Sequence, residues 1–230
     1  MVEAQHRVST MKLTDTIADQ ELLEQLLDST KPPVPPECRH LHYLLYTPFR
    51  YGPYPQGSRF RRAGPSKGVF YAAESPQTAI AETCFHRLLF FHESPDTTWP
   101  GDAGEYTAFA CEYAAGRTID LTRDPFDDRK AVWMHPVDFE PCQQLSDMAR
   151  AEQIDAILYA SVRDPSHRKN VAIMTCRAFV SAEPTARQTW RILVGSNGAR
   201  AICKLPKMAL DFDRSAFASD PRIAAMRWDR

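Results

Sequence analysis

The sequence lacks the features that would place the protein in a membrane or direct it out of the cell. None of its apolar runs approaches the roughly 20 residues that a membrane-spanning helix needs. The first twelve residues are mostly polar and do not contain the hydrophobic region of a signal peptide. We therefore expect a cytoplasmic protein with no membrane partner.

Several motifs for cofactors and metals are also missing. The six cysteines are scattered without a Cys-x-x-Cys pair, and we expect reduced thiols. There is no G-x-G-x-x-G turn and no G-x-x-x-x-G-K-[ST] loop, so neither common nucleotide cradle is predicted. His40, His42, His86 and His92 have no cysteine or carboxylate at a matching spacing, and we expect no metal site.

The chain has no excess of charge of either sign. Its 28 basic and 29 acidic side chains leave a formal net charge of −1, so no overall field attracts nucleic acid. The run Arg59-Phe60-Arg61-Arg62 with nearby tyrosines suggests single-stranded nucleic-acid binding, but the net charge argues against it and we expect none. The 230 residues, 43% of them hydrophobic, suffice for one domain with a core.

An amphipathic helix is predicted over residues 14–30. One stripe of this helix carries its apolar side chains, which are Ile17, Leu22, Leu23, Leu26 and Leu27. The proline-rich residues 31–36 end the helix, because proline removes a backbone donor. We interpret residues 1–40 as an N-terminal helix and connector whose stripe packs on the core or on a partner.

Strand patterns dominate the rest of the chain. Strands are predicted over residues 41–50, 68–73, 106–113, 118–121, 154–161, 170–176 and 189–194. Helices are predicted over 76–91, after the cap Ser75, and over 141–153, and a long loop over the Gly- and Pro-rich residues 52–68. Because few helices separate the later strands, we predict an α+β fold with a mixed β-sheet core and flanking helices.

Several elements between residues 41 and 180 occur in the order that is typical of one family and resemble the RES domain of bacterial toxins. They are Arg50, the turn Gly57-Ser58-Arg59-Phe60, Tyr71 at a strand end, Ala79-Ile80-Ala81-Glu82 at a helix start, the strand 157–163 that reaches Ser161 and Arg163, and the closing strand Asn170–Ile173. The resemblance assigns residues 41–180 to a catalytic core and leaves 181–230 as a C-terminal strand and extension packed on it.

The resemblance implies a fold similar to ADP-ribosyltransferases and an enzyme that cleaves the nicotinamide–ribose bond of NAD⁺. Such an enzyme is a glycohydrolase, a phosphorylase or an ADP-ribosyltransferase, and these differ only in the acceptor. NAD⁺ is then the substrate, and no cofactor is expected. The resemblance also implies the toxin of a toxin–antitoxin pair, with a helix-turn-helix antitoxin of the Xre type as partner. By family analogy alone, we consider a homodimer.

The predicted reaction leaves an oxocarbenium-like sugar, and it needs three kinds of side chain. Arg50 and Arg59 suit the pyrophosphate, because a guanidinium binds phosphate oxygens with a two-pronged fork. Tyr71 suits stacking on nicotinamide while its hydroxyl holds a polar group. Glu82 suits the negative charge beside the developing cation.

Three further residues are predicted to contact the substrate. Ser161 is expected to position the nicotinamide amide or a ribose rather than to act as a nucleophile, because no neighbour in sequence would activate it. Arg163 and Asn170 are expected to add contacts. Each candidate has a purely structural alternative, which for Glu82 is a solvent-facing glutamate paired with His86.

A non-catalytic RES-fold module that docks a protein partner is the alternative function. Phe60-Arg61 stands where the family usually has tryptophan and asparagine, and the N-terminal leucine stripe would be the natural contact surface. A module without activity would be free to lose the catalytic candidates. Arg59, Tyr71, Glu82 and Ser161 are all present.

Overall fold

The computed structural model describes residues 1–3 and 10–229 of the chain. Residues 4–9, which belong to the predicted N-terminal unit, lie outside the described residues. Within the described part, no helix combines the length and the apolar character needed to span a bilayer.

The main helices flank the sheets and vary widely in length. They are α1 (Ile17–Ser29), α2 (Tyr43–Arg50), α3 (Pro76–Glu93), α4 (Lys130–Trp133), α5 (Glu140–Ala151) and α6 (Pro221–Ala224). Short 3-10 turns occur at Pro36–Cys38, Asp127–Arg129 and Cys176–Ala178.

The strands form two large sheets and one small ladder. They are β1 (Val2–Glu3), β2 (Pro53–Tyr54), β3 (Gly64–Pro65), β4 (Phe70–Ala73), β5 (Gly104–Ala110), β6 (Thr118–Asp120), β7 (Ala156–Ala160), β8 (Lys169–Ile173), β9 (Ala186–Gly195), β10 (Gly198–Cys203) and β11 (Met208–Phe212). One sheet has the order β1-β5-β9-β10-β11 and is antiparallel, and the other has the order β4-β8-β7-β6. Only the β6–β7 pairing in the second sheet is parallel. The predicted α+β class with mixed sheets is confirmed.

Helix α3 is the central helix of the molecule. Ser75 caps it by accepting the backbone N–H of Thr78 at 3.3 Å, and Pro76 occupies its first turn, as the sequence predicted. It contacts β4 of the smaller sheet and β9 and β10 of the larger one. Its buried side chains lie on most of its circumference, and they are Thr78, Ile80, Ala81, Cys84, Phe85, Leu88, Leu89 and Phe91. Burial of this many apolar groups fixes the position of the helix.

The four-stranded sheet is covered on both faces, which explains its nearly continuous apolar strands. Val171 and Ile173 belong to a cluster that includes the N-terminal residue Leu45. Ala172, between them in the strand, faces the opposite side and packs with Phe60 of the loop after β2. This alternation follows from the two-residue period of a strand.

The strand predicted over residues 41–50 is wrong, because α2 occupies most of this segment. The Nδ1 atom of His42 accepts the backbone N–H of Leu44 at 3.1 Å and caps the helix. Leu41 and Leu45, four residues apart, are both buried. A short apolar run does not distinguish a strand from a buried helix by its pattern.

The C-terminal region contains more strand than the sequence predicted. Only residues 189–194 were predicted as a strand, whereas β9, β10 and β11 form an antiparallel meander. Gly198 closes the tight β9–β10 turn with φ +115°, and a Cβ there would lie 2.1 Å from the Phe212 carbonyl oxygen. Only glycine tolerates both conditions.

The expectation of reduced thiols is wrong for one pair of cysteines. Cys38 and Cys176 form a disulfide with their Cα atoms 5.5 Å apart, which lies within the normal range for a disulfide. The bond ties the N-terminal connector to the turn after β8. No local sequence motif predicts this disulfide, because 138 residues separate the two cysteines.

Candidate active site

A cavity of about 1080 Å³ opens beside α3 and is lined by both large sheets. The residues on its wall come from α3, from β4, β5, β7, β8 and β9, and from loops that include residues 56–61 and Arg163. Predicted site residues among them are Arg59, Tyr71, Glu82, Arg163 and Asn170. The fold therefore brings five of the seven candidates to one cavity.

Glu82 is the best-defined side chain in this cavity. It lies in the second turn of α3, and its Oε1 atom accepts hydrogen bonds from Ser161 Oγ at 2.6 Å and from Asn170 Nδ2 at 2.8 Å. The Oε2 atom makes no hydrogen bond with the described residues. A half-buried carboxylate with one fixed oxygen and one available oxygen differs from the solvent-facing glutamate of the structural alternative.

Ser161 lies behind Glu82 rather than in the cavity wall. Its side chain is fully buried, and its Oγ atom accepts the backbone N–H groups of Arg163 at 3.3 Å and Asp164 at 2.9 Å. These two donors leave the hydroxyl proton for the carboxylate. Ser161 is thus placed to orient Glu82.

Tyr71 lines the cavity, whereas its hydroxyl makes hydrogen bonds to the turn at residues 57–60. The hydroxyl oxygen accepts the backbone N–H of Phe60 at 2.9 Å and lies 2.8 Å from Ser58 Oγ. Burial raises the pKa of Tyr71, although the residue as a whole remains 38% exposed. The hydroxyl therefore stabilises the turn at residues 57–60, and the residue also lines the cavity.

Arg59 lies on the cavity wall with much of its donor capacity already used. Its Nη1 and Nη2 atoms donate to the carbonyl oxygens of Trp133 at 2.6 Å and His135 at 3.0 Å. Its guanidinium carbon lies 4.9 Å from the centre of the Phe139 ring. Arg59 thus contributes positive charge to the wall and also connects two loops.

Arg50 lies away from the cavity. Its Nη1 atom donates to Asp28 Oδ1 at 2.9 Å, and its Nε atom donates to the Pro32 carbonyl oxygen. Both partners belong to α1 and the connector after it. The structure therefore places Arg50 as an anchor of the N-terminal segment.

Arg163 is buried against α3. Its guanidinium carbon lies 4.0 Å from the centre of the Phe85 ring, and its Nη1 atom is 2.7 Å from Asp220 Oδ2. Burial lowers the pKa of Arg163 to about 10, against the opposing effect of the Asp220 charge. The guanidinium remains charged at neutral pH.

The sequence analysis assigned no role at the site to four residues that lie near it. His86 lies one turn after Glu82 and lines the cavity, and burial lowers its pKa while the Glu82 charge acts in the opposite direction. Tyr159 lines the cavity from β7, and burial raises its pKa well above the ordinary value. The i,i+4 spacing from Glu82 to His86 was interpreted only as a structural pairing on the helix surface. No such signal connected Asp220 and Arg222 with the site.

The basic run at residues 59–62 does not form an exposed surface. Phe60 is fully buried, and Arg62 bonds to Asp147 at 2.6 Å and to Glu140 at 3.0 Å. These residues hold the loop on α5. They are therefore not arranged as a stacking platform for bases.

Comparison with curated protein sequences gave no match. The family model described as the RES domain matches residues 34–194, which is well over half of the 230 residues. The matched segment contains the cavity residues Arg59, Tyr71, Glu82, Arg163 and Asn170. The chain therefore belongs to the RES domain family.

Proposed function

We propose that the protein is an enzyme that consumes NAD⁺ by cleaving the bond between nicotinamide and ribose. The observation that carries the proposal is the Glu82 carboxylate, held by Ser161 and Asn170 at the wall of a large cavity. Membership of the RES domain family supports an NAD-related activity. The cavity volume of about 1080 Å³ lies slightly above the roughly 300–1,000 Å³ that is usual for ligand pockets, which suits a dinucleotide.

The proposed first step breaks the bond between C1′ of the ribose and the pyridinium nitrogen. The bonding electron pair moves to the nitrogen and releases neutral nicotinamide, and the ribose is left as an oxocarbenium ion. The fixed Glu82 carboxylate stabilises this cation. An electrostatic group that is already oriented needs no reorganisation when the charge develops.

The wall residues bind and orient the rest of the substrate in this proposal. The exposed face of the Tyr71 ring stacks on nicotinamide, and Arg59 and Arg163 supply positive charge for the pyrophosphate. Phe60 and Tyr159 pack edge to face, with their ring centres 4.9 Å apart. Each of these groups is held by other contacts before any substrate arrives, which lowers the entropic cost of orientation.

In the second step a nucleophilic atom of the acceptor forms a bond with C1′, and the proton that this atom carried is released to solvent. Water gives ADP-ribose, inorganic phosphate gives the 1″-phosphate of ADP-ribose, and a protein side chain gives a modified protein. We further propose that the enzyme is the toxin of a toxin–antitoxin pair that acts on cytoplasmic NAD⁺ and is restrained by a helix-turn-helix antitoxin of the Xre type. Family membership supports this role.

The test is to incubate the purified protein with NAD⁺, with and without phosphate, and to follow nicotinamide and the ribosyl product by chromatography. We expect nicotinamide release, and the second product identifies the acceptor. A parallel incubation with a cell extract supplies protein acceptors. Absence of nicotinamide release in all three mixtures would contradict the proposal.

One observation favours the alternative function, a non-catalytic module that docks a protein partner. Three leucines on α1 are about half exposed, with values of 55% for Leu22, 57% for Leu26 and 46% for Leu27. An apolar face of this kind suits a protein partner. Binding of a partner by a protein that never releases nicotinamide would favour this function.

A further inference from the structure

The loop at residues 161–168, which connects β7 with β8, is bonded to α3 at two points. One of them is the bond from Ser161 to Glu82, and the other joins Asp164 to Thr78. We infer that Thr78 and Asp164 are positioning residues, which hold the loop that presents Ser161 to the proposed catalytic carboxylate. The inference rests on the proposed function and extends it to two residues outside the cavity wall.

Thr78 and Glu82 lie one turn apart on α3 and face the same loop. Residues four positions apart are neighbours on a helix surface. Thr78 Oγ1 donates to Asp164 Oδ2 at 2.7 Å. Ser161 Oγ donates to Glu82 Oε1 at 2.6 Å. The helix and the loop are therefore joined by two hydrogen bonds between side chains, and the second of them sets the position of the carboxylate.

Asp164 connects these two bonds through its own backbone. Its N–H group donates to Ser161 Oγ at 2.9 Å. Because this donor occupies a lone pair of the hydroxyl oxygen, it helps to direct the hydroxyl proton toward Glu82. A displacement of Asp164 would therefore change the orientation of the Ser161 hydroxyl.

The Asp164 side chain is fully buried and ionised. Arg168 donates to both of its carboxylate oxygens, from Nε at 2.6 Å and from Nη2 at 3.0 Å. Burial alone would raise the pKa of Asp164, but the hydrogen bonds from Arg168 and Thr78 hold it below its usual value. The Thr78 hydroxyl thus donates to a charged group, and such a bond is stronger than one between neutral groups.

Closure of the loop does not require the bond to Thr78. The Ser161 N–H group donates to the Arg168 carbonyl oxygen at 2.8 Å, which closes the loop at its ends. Inside it, the His167 N–H group donates to the Asp164 carbonyl oxygen at 2.7 Å. The charge of Asp164 is already balanced by Arg168. The Thr78 hydroxyl therefore adds a fixed position of the loop relative to α3, and a catalytic group depends on such support.

The experiment removes the hydroxyl and the methyl group of Thr78 separately. Thr78→Val deletes the hydroxyl at nearly constant volume, and we expect kcat for nicotinamide release to fall about 10-fold, as for a lost bond to a charged group, with little change in KM. Thr78→Ser keeps the hydroxyl and should restore most of kcat, although the lost methyl group lowers the melting temperature. A purely structural role predicts instead that kcat follows stability in both variants.

The same substitution in a Ser161→Ala background shows whether Thr78 acts through Ser161. Independent residues have additive effects, whereas residues of one network do not. Without the Ser161 hydroxyl, Thr78→Val should lower kcat by less than about 2-fold. The matched control is Thr47→Val, which removes a hydroxyl of α2 that is bonded to the Tyr43 carbonyl oxygen and should leave kcat unchanged.

Hydrogen exchange followed by mass spectrometry tests the loop without turnover. Thr78→Val should reduce the protection of the amides in residues 161–168, and Thr47→Val should not. The inference is overturned if Thr78→Val keeps the wild-type kcat or the wild-type exchange, or if its effect on kcat is undiminished in the Ser161→Ala background. If the wild type releases no nicotinamide, the proposed function fails, and the exchange measurement still decides whether Thr78 holds the loop.

Discussion

Helices α1 and α3 both carry several apolar side chains but have opposite roles in the molecule. No residue of α1 is buried, whereas α3 is buried on most of its surface and contacts both large sheets. Glu82, which our proposal makes catalytic, lies on the helix that is fixed. The leucines available for another molecule lie on α1, where they are exposed. A catalytic group needs a rigid support, and a docking surface needs exposure.

Of the effects that distinguish α1 from α3, we expect the largest on the free energy of unfolding. Leu88 of α3 is fully buried and Leu26 of α1 is 57% exposed. Leu88→Ala should lower the free energy of unfolding by about 2–5 kcal/mol, because it leaves a cavity in the core. Leu26→Ala should change it by less than about 0.5 kcal/mol. Urea unfolding followed by circular dichroism measures both, and equal losses would contradict the comparison.

A smaller effect is expected from loosening Glu82 without removing it. Ser161→Ala deletes the shorter of the two hydrogen bonds to the carboxylate. We expect kcat for nicotinamide release to fall about 10- to 100-fold, since a bond to a charged group is lost, with little change in KM. A rise in KM at unchanged kcat would instead make Ser161 a substrate contact.

The smallest effect is expected on the pH dependence of stability. The pKa of His86 is lowered in the folded protein. On acidification the unfolded chain therefore binds a proton at His86 before the folded protein does, and stability falls with decreasing pH around the ordinary histidine value. His86→Gln should lose less stability than the wild type between neutral and mildly acidic pH. Thermal unfolding at several pH values measures this difference. An equal fall in melting temperature with decreasing pH for both proteins would contradict the expectation.

Local signals in the sequence predicted most of α3 correctly. Ser75 and Pro76 are strong start signals, and the predicted helix over 76–91 differs from the observed one by two residues at its end. The same kind of signal failed for α2, where the cap is the unusual residue His42. Local rules work where the cap is a common one and the apolar run is long.

Contacts between distant residues could not be predicted from local signals. Glu82 meets Ser161 across 79 residues and Asn170 across 88. Only the resemblance to the RES domain connected them in advance. Asp220 and Arg222 lie outside that resemblance, and Cys38 and Cys176 have no motif in common. These pairings depend on packing, which becomes visible only in three dimensions.

The most direct test of the account is the rate of nicotinamide release from NAD⁺ by Glu82→Gln, with Glu152→Gln as the control for an exposed glutamate of the surface. The account predicts a loss of at least about 100-fold for Glu82→Gln, an unchanged fold, and a wild-type rate for the control. Wild-type activity in Glu82→Gln would contradict it and would remove Glu82 from the mechanism.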